Sequence, residues 1–107
     1  MEKLHSLDKL KEFIDKKTLA MVYISSENCN VCHALLPKIE AMIEKYPQIE
    51  GKKISIDECT EIAGEFSIFT IPAILFYVEG KEVIRKARFI SVEELEQNIS
   101  RYYNMFI

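Results

Sequence analysis

Hydrophobic and polar positions along this chain change period several times, and each change marks an element. Leu7, Leu10, Phe13 and Ile14 recur at helical spacing behind Ser6, which predicts a helix over residues 7–16 capped by Ser6. A short strand at residues 2–5 is expected before it. Residues 19–25 (Leu-Ala-Met-Val-Tyr-Ile-Ser) are apolar at successive positions, the pattern of a strand buried on both faces. Leu35, Leu36, Ile39, Met42 and Ile43 then form the stripe of a helix over residues 30–45, with Pro37 inside it and a kink expected near residues 33–37. Lys53 to Asp57 reads as a strand, and Cys59 to Phe66 as a short helix. Ile74 to Val78 is a second buried strand. Glu79-Gly80-Lys81 turns it back into a hairpin partner over Glu82 to Phe89. Ser91, with Glu94 three residues on, gives the capping box of a last helix. Val92, Leu95, Ile99, Tyr103 and Phe106 are expected to face its inner side. Strands and helices alternate and a hairpin follows, so the fold class is α/β, with a central mixed β-sheet flanked by helices.

Composition narrows the field without adding chemistry. At 107 residues and 49% apolar, the chain has the size and core of one domain, residues 1–107. Fourteen basic and 17 acidic side chains leave a net charge of −3, and neither sign forms a block. A nucleic-acid partner is therefore not expected. No apolar stretch follows the charged residues at Met1-Glu2-Lys3-Leu4-His5, and the longest apolar run, Ile71 to Val78, is far too short to span a bilayer. The expectation is a cytoplasmic protein with no membrane partner.

The chemistry sits in Cys29-Asn30-Val31-Cys32, between the buried strand and the long helix. At that junction Cys29 falls at or near the helix N-cap and Cys32 in the first turn. The sulfurs come within bonding reach, with Cys29 nearer solvent. Free amides and the positive helix end stabilise a Cys29 thiolate. Other chemistries share this spacing. With His33 the motif reads CxxCH, a haem-attachment pattern. Zinc would draw on Cys29, Cys32, His33 and Cys59, without a second CxxC. An inert structural pair is a further reading. Cys59 reads as a small buried side chain or, alternatively, as a regulatory thiol.

Cys29 and Cys32 after a buried strand, Pro37 five residues on, Ile56-Asp57 closing the next strand, Thr70-Ile71-Pro72 and the Glu79-Gly80-Lys81 turn occur together. In this combination the chain resembles the thioredoxins over nearly its whole length. The resemblance implies a thioredoxin-like fold, Cys29 as nucleophile, Cys32 as resolving thiol, and a cis Ile71–Pro72 bond facing the pair. Ile71, Pro72, Asn28 and Arg88 become substrate-binding candidates. Disulfide-containing proteins are the implied substrates, with an external reductase or thiol pool as electron donor. No metal or organic cofactor is implied.

The chain also departs from that family. Typical members read Trp-Cys-Gly-Pro-Cys-Lys where this one has Asn28 to His33. Tyr23 stands where a buried aspartate is thought to manage the resolving thiol's proton, and Tyr23 is not an equivalent base. Glu27, His33 or an ordered water are the candidate substitutes. Arg88 falls where a loop glycine is usual, and with Glu27, Asn28 and Phe89 it is expected to tune partner preference. The expected activity is thiol–disulfide oxidoreduction, chiefly the reduction of protein or small-molecule disulfides through a Cys29–Cys32 dithiol/disulfide cycle. Two rivals are a glutathione-linked or isomerase-type enzyme and a redox-sensitive binding module with little turnover.

Overall fold

The computed structural model describes residues 1–106. Its elements are β1 (Glu2–Lys3), α1 (Leu7–Lys16), β2 (Leu19–Ser25), α2 (Asn30–Ile43), β3 (Glu50–Ser55), α3 (Glu61–Glu65), β4 (Ala73–Val78), β5 (Lys81–Ala87) and α4 (Val92–Met105). One five-stranded sheet runs in the order β1-β3-β2-β4-β5. The β1–β3 and β3–β2 pairs are parallel, whereas β2–β4 and β4–β5 are antiparallel. The sheet is therefore mixed, and β2 lies at its centre.

Alternation along the central strands builds two cores, one on each face. Leu19, Met21 and Tyr23 of β2 and Ile74, Phe76 and Val78 of β4 join Ile39 and Met42 of α2 and Leu95, Ile99 and Tyr103 of α4. Ala20, Val22 and Ile24, with Ala73, Leu75 and Tyr77, pack instead against Leu10, Phe13 and Ile14 of α1 and Ile62 of α3. A strand apolar at every position is what a sheet covered on both sides requires. Each fully buried Leu, Ile or Phe contributes about 1.5–3 kcal/mol through removal of apolar surface from water.

Several boundaries differ from the sequence reading. The expected strand at Lys53–Asp57 lies earlier, because β3 is set by its parallel register on β2, from Ala20↔Glu50 to Ser25↔Ser55. Gly51 in that strand leaves room for the side-chain ends of Ile43 and Met1, which would lie 3.0 and 3.1 Å from a Cβ there. Asp57 belongs to the following turn, where its N–H donates to Ser55 Oγ. Helix α2 ends at Ile43 rather than 45, and α3 is shorter than expected. Ser6 and Ser91 cap α1 and α4 by accepting from Lys9 N and Glu94 N, each at 3.2 Å. Glu94 does not close the capping box; its carboxylate pairs with Lys86 across 3.0 Å. Phe106 is the C-cap of α4 and is exposed, whereas Tyr103 is buried.

Candidate active site

Parallel β2 and β3 end at the same edge of the sheet where antiparallel β4 begins and β5 ends. The turns around residues 26–29, 56–60, 66–72 and 88–91 are thereby gathered at one end of the molecule. Ligands of α/β sheets characteristically bind beyond the carboxyl ends of their parallel strands.

Cys29 is the N-cap of α2, and its sulfur accepts the backbone N–H of Cys32 at 3.1 Å. The two cysteines are joined as a disulfide. Cys29 is partly exposed, whereas Cys32 is 1% exposed and belongs to the core beside Tyr23. An incoming thiol or disulfide therefore reaches Cys29 first. After reduction, the same N–H and the free amides of the first turn stabilise a Cys29 thiolate.

Tyr23 lies directly beneath this turn. Its hydroxyl donates to the Cys32 carbonyl at 2.6 Å, tying the centre of the sheet to the resolving cysteine's backbone. Burial pushes the Tyr23 phenol up to about 12, so it stays protonated near neutrality. A cavity of about 100 Å³ opens beside Cys32, lined in part by Tyr23, Ser26, Glu27, His33, Lys53 and Ser55. Ser26, Lys53 and Ser55 in its otherwise largely apolar lining offer hydrogen-bond partners for a water. His33 Nε2 lies 2.8 Å from the Glu27 carbonyl. A carbonyl only accepts, so Nε2 carries the proton in the neutral ring and Nδ1 is the free acceptor. The Glu27 carboxylate is engaged on the surface by Lys3 at 3.2 Å, and its N–H donates to Asp57 Oδ2 at 2.7 Å.

The Ile71–Pro72 peptide bond is cis, and Pro72 is buried at the start of β4. The Pro72 carbonyl accepts the Arg88 N–H at 2.8 Å, which fixes the loop after β5 to the loop before β4. Arg88 is non-glycine at φ 71°, in the left-handed region where a side chain carries strain. Its guanidinium lies 5.1 Å from the centre of the Phe89 ring. Asn28 is exposed in the turn before Cys29.

The sequence reading passed over Phe69. It is 90% exposed three residues before Pro72, and Phe89 is 87% exposed. The available signal was an aromatic between Ile68 and Thr70, outside any strand or helix pattern and just before Ile71-Pro72. Cys59 is buried in the opposite core, across the sheet from Cys32, so it is not a third thiol of the site. Among the described residues no three His, Cys, Asp or Glu side chains converge to hold a metal ion. No helix among them is long and apolar enough to cross a membrane.

Comparison with known proteins places this geometry among relatives. The family described as "Thioredoxin" matches residues 3–101. The "Thioredoxin-like protein YdfQ" of Bacillus subtilis is 40% identical over 106 residues, covering 99% of this chain and 95% of its own. "Thioredoxin H8" of Arabidopsis thaliana is 32% identical over 98 residues, covering 92% of this chain and 66% of that protein. Among solved structures, Fasciola hepatica thioredoxin superposes with a TM-score of 0.84 at 29% identity, covering 94% of this chain and 98% of that one. Plasmodium falciparum thioredoxin, at 22% identity and a TM-score of 0.86, shares the fold over 95% of this chain and 99% of its own.

Proposed function

Because this chain belongs to the thioredoxin family, we propose that Cys29 and Cys32 reduce disulfides of protein substrates and are re-reduced by a separate reductase or thiol pool. Thiol–disulfide oxidoreduction at this pair is the protein's chemistry. The observation that carries the direction of attack is the unequal burial of the two sulfurs, with Cys29 partly exposed and Cys32 at 1%.

In the reduced protein, the Cys29 thiolate attacks one sulfur of the substrate disulfide. A mixed disulfide forms, and the substrate's other sulfur leaves as a thiolate and takes a proton. Cys32 then loses its proton, attacks Cys29 Sγ, and releases the substrate's second thiol. Two electrons pass from the Cys29–Cys32 dithiol to the substrate, and the internal disulfide is restored. Tyr23 is neutral and its hydroxyl is already donating, so it does not take the Cys32 proton. His33, whose ring lines the cavity beside Cys32, is the base that takes it through water. Ile71 and Pro72 hold the incoming chain alongside the pair, strand-fashion.

Catalysed reduction of a protein disulfide, with dithiothreitol as electron source, tests this reading. Wild type should turn over, and Cys29→Ser should be inactive. Cys32→Ser should accumulate a mixed disulfide at Cys29. Undiminished turnover by Cys29→Ser would reject the mechanism.

A second reading is supported by the exposed Phe69 and Phe89 in loops at the same end of the sheet as the pair. These rings suit a module that binds a protein partner according to the oxidation state of Cys29 and Cys32. That reading predicts redox-dependent binding with slow turnover in the same assay.

A further inference from the structure

The loops from Phe66 to Pro72 and from Arg88 to Ser91 contain one charged residue, Arg88. Its charge is not absorbed by the protein. Arg85, on β5, shows what absorption looks like: its guanidinium donates to both oxygens of Glu82 and to the carbonyls of Phe66 and Ser67. The Arg88 side chain has no such hydrogen bond or ion pair among the described residues, and its neighbour is the Phe89 ring. A cation over a ring face keeps its in-plane N–H donors, and those donors match a carboxylate in a two-pronged fork.

The position of this charge is held by the backbone. Arg88 N–H donates to the Pro72 carbonyl, so the residue is fixed one hydrogen bond from the Ile71–Pro72 segment. The left-handed φ of 71° is one glycine would adopt without cost, yet an arginine occupies it. Across the site the sign reverses. Glu27, Asp57 and Glu58 lie on the β1–β3 side, where Lys3 and His5 partly offset them. One flank of the redox pair thus carries an unpaired cation over the exposed Phe89 ring, with exposed Phe69 in the loop that Arg88 N–H ties down at Pro72, and the other carries carboxylates.

We infer that Arg88 is a specificity-determining residue that selects disulfide-bearing polypeptides with a carboxylate near the half-cystine, its apolar neighbours contacting Phe69 and Phe89. This inference rests on the disulfide-reduction reading above and names the substrate class within it.

The test uses disulfide peptides identical except for Glu or Lys two residues from the half-cystine. Wild type should show a kcat/KM ratio favouring the Glu peptide by about five-fold at low ionic strength, as one exposed ion pair gained and one repulsion avoided would give. Roughly half of that preference, on a logarithmic scale, should be lost by 0.5 M salt, where the Debye length is short. Arg88→Gly, which suits the left-handed backbone, should bring the ratio to about one, and Arg88→Glu should invert it. Equal reduction of both peptides by wild type, or an unchanged ratio in Arg88→Gly, would overturn the inference and leave disulfide reduction standing. Failure to reduce either peptide would overturn both. Because the readout is a ratio, a general loss of activity in a variant does not imitate the result.

Discussion

The Tyr23 hydroxyl donates to the carbonyl of Cys32 at 2.6 Å, so the centre of the sheet grips the resolving cysteine by its backbone rather than by its thiol. The contact positions the first turn of α2. Tyr23→Phe keeps the ring and removes the donor. The expected cost is about 1 kcal/mol, the net worth of one buried hydrogen bond, read as a lower urea midpoint at unchanged m-value. Disulfide-reduction activity should fall less than about ten-fold, since the phenol takes no proton. A larger loss of turnover at unchanged stability would show that the phenol takes part in the chemistry.

Alkaline stability follows from two buried phenols. Burial pushes both Tyr23 and Tyr77 up to about 12. The unfolded chain releases these protons near pH 10, whereas the folded protein holds them. The stability tied to the protonated form is therefore complete below pH 10 and is lost as pH rises from about 10 to 12. Each tyrosine should contribute on the order of 2 kcal/mol to that loss. Urea unfolding at pH 9 and pH 11.5 measures it, and Tyr23→Phe should remove about half of the difference. Equal stability at the two pH values would contradict the burial assigned to these rings.

Thiol reactivity should rank in the order of exposure. After reduction, iodoacetamide should label Cys29 first and Cys32 much later. Cys59 should label only on unfolding, because burial, with Glu61 and Glu58 nearby, holds its thiol above its ordinary value. Peptide mapping after timed quenching reads the order. Early labelling of Cys59 would place it outside the core described for it.

His33 is assigned to the second step alone. Its replacement by Leu should slow the release of a preformed mixed disulfide by about ten-fold, less than the roughly hundred-fold or more usual of general bases because water competes at an exposed ring. Rapid-quench kinetics separate this step from the initial attack. An equal slowing of both steps would point to a structural role for the contact between His33 and the Glu27 carbonyl.

What could be read from sequence was what short-range patterns encode. Apolar residues at successive positions of β2 and β4 announced a sheet covered on both faces, and those residues divide alternately between the two cores. The expectation that Cys29 caps the helix drew on spacing alone. The offset of β3 was hidden because its start is fixed by the register on β2, which no local pattern carries. The bond from Tyr23 to the Cys32 carbonyl joins residues whose meeting depends on how α2 lies over the sheet. Glu94 satisfied the capping-box pattern locally but met Lys86 of the neighbouring strand instead. Phe69 was missed because an aromatic residue is ordinarily evidence for a core, and this one is on the surface, three residues before Pro72.

The reduction potential of the Cys29–Cys32 pair tests the central claim most directly. Equilibration in defined thiol–disulfide buffers, followed by alkylation and mass spectrometry, gives the value. The account predicts a potential of about −270 mV, that of a thioredoxin-like reductant, and a value between about −120 and −200 mV would contradict it in favour of an oxidising, isomerase or glutathione-linked role.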